Sequence, residues 1–420
     1  MTQLKVTALG QQGDGLALYQ DKKVFVDGGL PDETLEVSLT PQPDGQSFRG
    51  SINNIIEASP HRATPPCPHY NQCGGCQLQH MSESFYRSWK QEMVMASLSF
   101  NDLTPEYIEE PIFISAQTRR RASFKVIKQH GKAVIGYHQK RSHYITAITE
   151  CLVLDPALLE AKDSLQPYLD ELVQDKNGID LFLQKIGAQI DCVITGQIGA
   201  AKEPDLDVKL TVAEIIHNTP ITRISWRKKE RAEPELLIEK APIRTLMGPL
   251  SVALPPLAFL QPSQQGADAL ISKVLAALPD TPLNIADLFS GNGTFTGALL
   301  QAGHEVMAYE GDEAAVNALR KAGHSKTERR DLFKEPLSVT EVNRFEVIVL
   351  DPPRAGAKTQ CEILANSDVP LIIYVSCSPV SFARDAAKLV EGGYDFTRFG
   401  MVDQFIWSTH TEIVGVFRKS

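Results

Sequence analysis

The sequence predicts an α/β chain: a doubly wound sheet in the last third, a small β-barrel at the N-terminus, and a mixed α+β region between them. Three observations predict it. From about residue 255, buried apolar runs alternate with helical ones: Leu283–Phe289, Glu305–Glu310, Phe345–Leu350 and Pro370–Val375 read as strands, Ala314–Ala322 and Phe382–Val390 as intervening helices. The first of those strands runs into a turn with two glycines, Gly291 and Gly293, that opens a helix. Residues 1–58 instead carry short strand-forming runs, Leu16–Tyr19, Lys23–Val26 and Thr34–Leu39, separated by Gly13-Asp14-Gly15, Gly28-Gly29 and Pro41–Gly45, which suits a small barrel.

A chain of 420 residues exceeds what one core usually fills. We expect three domains: the barrel over 1–58, a central domain over 59–250, and the α/β domain over 251–420. Composition is that of a globular protein, 43% hydrophobic and 22% charged. No uninterrupted apolar stretch is long enough for a membrane span, and the opening MTQLKVTALG lacks a signal-peptide core. The expected location is the cytoplasm, where the seven cysteines stay reduced; a monomer is the default. The net charge of −9 argues against a general nucleic-acid binder, but it hides a local excess. From Ala116 to Thr149 there are eight Lys/Arg, including Arg119, Arg120 and Arg121, and no Asp or Glu. Phosphate binding needs such a local field more than a basic total. A solvated charged face is the plainer alternative, though it would normally interleave both signs. The barrel, with four Lys/Arg against eight Asp/Glu, has no electrostatic claim on RNA.

The segment from Asp287 to Gly297 is not a Walker loop, because no Gly-Lys-Ser/Thr follows. Its glycines let backbone approach a ligand at the carboxyl end of a strand, and Glu310, ending the next strand, can accept hydrogen bonds from ribose hydroxyls. A dinucleotide site fits those residues too, but the rest of the chain disfavours it. Two further loops must lie along the same edge of the sheet: Asp351-Pro-Pro-Arg354 ends one strand and Ser376-Cys377-Ser378-Pro379 the next. A cysteine there can be a nucleophile or an inert buried thiol. Elsewhere, Cys67, Cys73 and Cys76 form C-x5-C-x2-C, followed much later by Cys151. Clustered cysteines in a reducing compartment suggest a metal, as structural zinc or an iron–sulfur cluster, before a disulfide. Cys192 and Cys361 read as packing residues.

Taken together, Asp287–Thr294, Asp351–Gly356, Val375–Pro379 and the terminal Ser408-Thr-His-Thr-Glu412 resemble the RNA (uracil-5-)-methyltransferase family, over nearly the whole chain and most weakly over 155–235. The resemblance implies an N-terminal TRAM barrel of OB-like type, a central α+β RNA-binding domain with a four-iron, four-sulfur cluster, and a C-terminal Rossmann-like class I methyltransferase domain. It implies that Cys377 is the nucleophile adding to C6 of uracil and Glu412 the base that removes the C5 proton. S-adenosylmethionine is then held by Gln261, Phe289, Gly291, Gly293, Thr294, Glu310, Asp331 and Asp351, and the cluster by Cys67, Cys73, Cys76 and Cys151. Two positions depart from the family pattern: Ser263 stands where Asn is frequent two residues after the glutamine, and Thr294 also replaces a common Asn.

The expected partner is RNA, with 23S ribosomal RNA favoured over tRNA because barrel and cluster accompany that branch more often. Arg119–Arg121 are expected at its phosphates. Phe124, Tyr137 and Tyr144 could stack on bases, or be core. The target uridine must be extruded or already unpaired to be reached. Two competing readings have their own signatures. Methylation of an exocyclic nitrogen would leave Cys377 idle, and Arg354 stands where that class carries an aromatic residue. A non-catalytic iron–sulfur RNA-binding factor would tolerate loss of Cys377.

Overall fold

The computed structural model describes residues 1–174, 178–201 and 203–420. They divide into two compact units. The first comprises Met1–Ala96, His138–Thr146 and Trp407–His410. Its six-stranded sheet contains all three expected strand runs, found here as Gly15–Tyr19, Lys22–Val26 and Thr34–Pro41, together with Thr2–Lys5, Ala8–Leu9 and Ser47–Glu57. Thr2–Lys5 pairs with Thr34–Pro41 at one end of the strand order, and Ala8–Leu9 with Gly15–Tyr19 at the other. Only Val6 and Thr7 separate those two end strands, an arrangement consistent with the expected small barrel. Alternate residues point inward: Val24 and Val26 are buried, as are Leu35 and Val37, around Leu4, Val6 and Ala17. Glu33, also buried, is matched by Arg62, whose Nη2 lies 2.7 Å from its Oε2.

The second unit holds two large sheets and a two-stranded ribbon, Arg244–Met247 paired with Leu250–Ala253. In the first, the strands Lys132–His138, Arg121–Gln129, Ile179–Ile186, Gln189–Thr195, Arg223–Arg227 and Glu235–Glu239 lie in that order. Helices Pro156–Leu172 and Leu206–Asn218 supply Leu158, Leu165, Leu169, Val212 and Ile215 to its core. Each begins on an aspartate cap: Asp155 accepts from the amide of Ala157, and Asp205 from that of Val208. Phe124 is wholly buried, with Tyr137 stacked on it at 5.0 Å. Both aromatics are therefore core, whereas Tyr144 is exposed. Buried Asp191 is held by Arg223 through two bonds of 2.8 and 2.9 Å, and the same guanidinium donates to the carbonyl of Leu254 at 2.7 Å.

The second sheet is the expected doubly wound one. Thr327–Arg329, Glu305–Glu310, Asn284–Leu288, Val347–Leu350 and Leu371–Ser376 run parallel in that order. The central runs, VIVL and LIIYVS, are buried on both faces, as their unbroken hydrophobicity requires. The chain then departs from a purely parallel sheet. Glu412–Lys419 inserts antiparallel beside Leu371–Ser376, and Tyr394–Asp403 flanks it, with Tyr107–Ile108 at the edge. An antiparallel strand begins where its parallel neighbour ends, so Glu412 starts at the carboxyl edge of the sheet. Among the described residues, no helix is long and apolar enough to cross a membrane.

Replacing Arg223 by Met strands the Asp191 carboxylate in the core. We expect a loss of about 3–5 kcal/mol, the cost of breaking a buried pair from one side, read as a lowered urea midpoint with an unchanged slope.

Candidate active site

The site is assembled at the carboxyl edge of the doubly wound sheet. Asp287, wholly buried, ends the inner part of the first strand and accepts a 2.5 Å bond from the hydroxyl of Thr296. Burial pushes its carboxyl up to about 7, against the Thr296 bonds that lower it. The strand exits through Phe289 in the left-handed region, φ 62°; a non-glycine residue pays for that conformation, and such strain concentrates at ligand sites. Phe289 meets Phe333 with ring centroids 5.4 Å apart. Gly291 also has positive φ, and a Cβ added to it would meet nothing within 4 Å. It faces open space. Its amide donates to Glu310 Oε2 and the amide of Asp312 to Glu310 Oε1, both at 2.8 Å. Thr294, partly buried, is the first residue of the helix Thr294–Gln301, and Asp331 accepts from the amide of Phe333 at 3.2 Å.

The second half of the site is a set of acids around one thiol. The strand pairing ends at Ser376 opposite Ile413, so Cys377 and Glu412 are the residues that flank its last pair. Glu412 is 4% exposed, and burial pushes its carboxyl up to about 7; the bond from Gln404 and the charges of Arg121 and Arg354 pull the other way. Asp351 is raised well above the ordinary carboxylate range by burial, Glu412 and Asp287. Cys377 is half-buried, and burial, with Glu412 and Asp351 nearby, pushes its thiol up to about 11, opposed by the charge of Arg354 and by a backbone hydrogen bond. A chain of side-chain amides links the acids. Gln404 Nε2 donates to Glu412 Oε1 at 3.2 Å and to Gln261 Oε1 at 2.7 Å, and Gln261 Nε2 donates to Asp351 Oδ2 at 3.3 Å.

The loop carrying Asp351 and Arg354 is tied down from behind. Asp385, on the helix Pro379–Glu391 and wholly buried, accepts from the amide of Ala357 at 2.7 Å, the hydroxyl of Tyr374 at 2.8 Å and Nε of Arg384 at 2.8 Å. Gly356 turns above it at φ 78°, where a Cβ would overlap the carboxylate.

Two of the three arginines, Arg120 and Arg121, lie against this site. Arg120 donates through Nε to the carbonyl of Gln261 at 2.9 Å and through Nη1 to Gln264 at 2.6 Å. Arg121 lies over the ring of Phe259, 4.5 Å from its centroid. Arg119 Nε donates to the carbonyl of Arg121 at 3.1 Å. Ser263 is explained locally: wholly buried, it caps the helix Gln264–Leu275 by accepting from the amide of Gly266 at 2.9 Å.

Of the four cysteines expected at a cluster, Cys67, Cys73 and Cys76 lie half-buried in one loop of the first unit, and Cys151 belongs to the second. Cys73 Sγ accepts from the amide of Gly75 at 3.3 Å. Among the described residues, no group of three or more His, Cys, Asp or Glu side chains is placed to hold a metal ion.

Known proteins share this architecture. Residues 326–420 match the family described as tRNA (uracil-5-)-methyltransferase. An RNA methyltransferase of Agrobacterium fabrum is 34% identical over 99% of this chain and 98% of its own, and one of Caulobacter vibrioides is 35% identical over the whole of both. A 23S rRNA (uracil-C5)-methyltransferase of Shewanella amazonensis is 30% identical over 99% of this chain and 95% of its own. The chain belongs to the RNA (uracil-5-)-methyltransferase family. The fold agrees: the crystal structure of a Pyrococcus abyssi tRNA (uracil-54, C5)-methyltransferase with S-adenosyl-L-homocysteine superposes with a TM-score of 0.75 over 99% of each chain, at 22% identity.

The protein is thus an S-adenosylmethionine-dependent enzyme that methylates C5 of uridine in RNA. The methyltransferase's glycine turn fits that cosubstrate. Gly291 faces open space where a Cβ would fit, and three buried polar atoms around it, Asp287 Oδ1, Ser290 Oγ and Asn292 Oδ1, have no partner among the described residues. Gln404 and Asp385 were not singled out by the sequence. Neither lies in a motif, and only the folded sheet brings them to the acids.

Arg354→Gln removes the one cation that opposes the rise of the Cys377 thiol, so the thiolate becomes scarcer at any given pH. We expect alkylation of Cys377 by iodoacetamide, followed by mass spectrometry of its peptide, to inflect near pH 11 in the wild type. In the variant the inflection should move higher and the rate at pH 8 fall by about three- to tenfold, up to one pKa unit of lost stabilisation.

Proposed function

We propose that Cys377 is the nucleophile and Glu412 the base of this methyltransferase. The observation that carries the reading is that the strand pairing ends at Ser376 opposite Ile413, with Cys377 and Glu412 the residues that flank that last pair, and that Glu412 and Asp351 both act on the Cys377 thiol. The Cys377 thiolate adds to C6 of the uracil, and the electron pair of the C5–C6 double bond moves through C5 onto O4 as an enolate. Carbon 5 is now a carbon nucleophile, which the neutral ring lacks. S-adenosylmethionine supplies the methyl group. Glu412 Oε2, which has no partner among the described residues, takes the C5 proton; the freed pair re-forms the double bond and expels the Cys377 thiolate. A carboxyl raised to about 7 is a stronger base than an ordinary one. Both titrations set the pH profile: Glu412 must be ionised and Cys377 must reach its thiolate, so the rate rises with pH through and beyond neutrality.

Gln261, Phe289, Gly291, Gly293, Thr294, Glu310, Asp331 and Asp351 hold the cosubstrate in this reading, with Glu310 at the ribose. Arg119–Arg121 meet RNA phosphates near the site. For the substrate, the matching family description and the full-length structural neighbour support tRNA better than the ribosomal RNA that the sequence favoured. Ribosomal RNA is the second reading, favoured by the Shewanella relative. A four-iron, four-sulfur cluster on Cys67, Cys73, Cys76 and Cys151 rests on the family resemblance; no step runs through it. Iron and sulfide analysis of anaerobically purified protein tests it, with about four of each expected per chain.

The mechanism is tested with cellular RNA containing 5-fluorouridine. Fluorine cannot leave as a proton, so the thioether should persist as a covalent protein–RNA species on a denaturing gel, and Cys377→Ala should abolish it while retaining RNA binding. Sequencing the trapped RNA separates tRNA from ribosomal RNA. An active, RNA-bound wild type that forms no adduct would overturn the Cys377 mechanism and point to nitrogen methylation.

A further inference from the structure

The residue that connects the two halves of the site is Gln404. It follows the strand Tyr394–Asp403 and is 5% exposed. Its single NH2 group is fully used: one hydrogen reaches Gln261 Oε1 and the other Glu412 Oε1. The space it occupies exists because residue 266 is glycine. A Cβ there would overlap the Gln404 carboxamide oxygen. The terminal torsion of a glutamate is broad and roughly two-fold, so an unanchored carboxylate would present either oxygen, in either orientation. In Glu412 that choice is removed. Oε1 is engaged by Gln404, and Oε2 is left without a partner among the described residues.

Resting on the reading of Glu412 as the base, we infer that Gln404 is a positioning residue for the last chemical step: by holding Oε1, it aims Oε2 at the proton on C5 of the methylated adduct. Gln404 itself touches neither thiol nor reacting carbon in this role. Removing its donor therefore leaves Cys377 addition in place and slows proton removal and expulsion of the thiolate. The methylated thioether then accumulates. A purely structural role would slow addition and elimination together.

The test is Gln404→Met, which keeps length and volume and removes both N–H groups. Two rates are measured at saturating S-adenosylmethionine: adduct formation with 5-fluorouridine RNA, which needs no proton removal, and turnover on ordinary RNA. We expect the first within about twofold of wild type and the second reduced at least about tenfold, the loss of one oriented catalytic contact. With a labelled methyl donor, a labelled covalent protein–RNA species should appear on ordinary RNA. Gly266→Ala, which displaces the Gln404 carboxamide without altering either hydrogen-bond partner, should reproduce the pattern if the methionine variant does not fold. Equal reduction of both rates, or an unchanged turnover, overturns the inference. Absence of any 5-fluorouridine adduct in the wild type fails at the earlier step and overturns the nucleophile assignment instead.

Discussion

The site depends on one constraint, the antiparallel insertion of Glu412–Lys419 into an otherwise parallel sheet. In a parallel α/β sheet every strand delivers its last residue to the ligand edge. That supplies Phe289, Glu310, Asp351 and Cys377, each from a different strand end. The first residue of a strand can reach that edge only if the strand runs the other way. Pairing beside Leu371–Ser376 then fixes the position of Glu412 to a single residue, because a slip of one would turn its side chain to the opposite face. The placement of Glu412 beside the end of the strand that leads to Cys377 is thus set by backbone hydrogen bonds.

Electrostatics follow from that placement. Three carboxyls, of Asp287, Asp351 and Glu412, are gathered in a poorly solvated region, and each is raised above its ordinary range. Burying like charges is costly, and the fold offsets the cost with neutral donors more than with ion pairs: Thr296 for Asp287, Gln261 for Asp351, and Gln404 for Glu412. The two cations whose fields reach Glu412, Arg121 and Arg354, form no salt bridge with it among the described residues. An acid locked in a tight ion pair would be a weak base. A glutamate bonded to a neutral amide keeps one oxygen available and a pKa suited to proton removal.

How much of this was readable in the sequence divides along a physical line. The four expected strands of the doubly wound sheet appear at Asn284–Leu288, Glu305–Glu310, Val347–Leu350 and Leu371–Ser376, the last two as the continuous apolar runs that burial on both faces leaves. The glycine turn was readable too, since only glycine fits those dihedrals cheaply. The helices and strands of 155–235 were not assigned. Their cues are ordinary ones, such as Asp155 before Pro156, and they belong to no motif. The stacking role considered for Phe124 and Tyr137 gave way to packing: strand periodicity marks which residues share a face but not whether that face is covered, and here helices cover it.

The least legible layer is the one that joins motifs to one another. Gln404 meets Gln261 across 143 residues, and Asp385 reaches back 28 residues to Ala357. Glutamine and aspartate at such positions look like surface residues in a linear reading. Their burial becomes visible only with the small residues that admit them, Gly266 against the Gln404 carboxamide and Gly356 above the Asp385 carboxylate. These pairings impose a joint requirement. A glycine that enlarged at either place would displace a polar group in a region with no water-exposed alternative, so a buried acceptor or donor would be left unmatched at a cost of about 1–3 kcal/mol. The motifs hold the groups that react, while these distant glycine and amide pairs hold the motifs at a fixed separation, and a change in one member is compensated only by a change in the other.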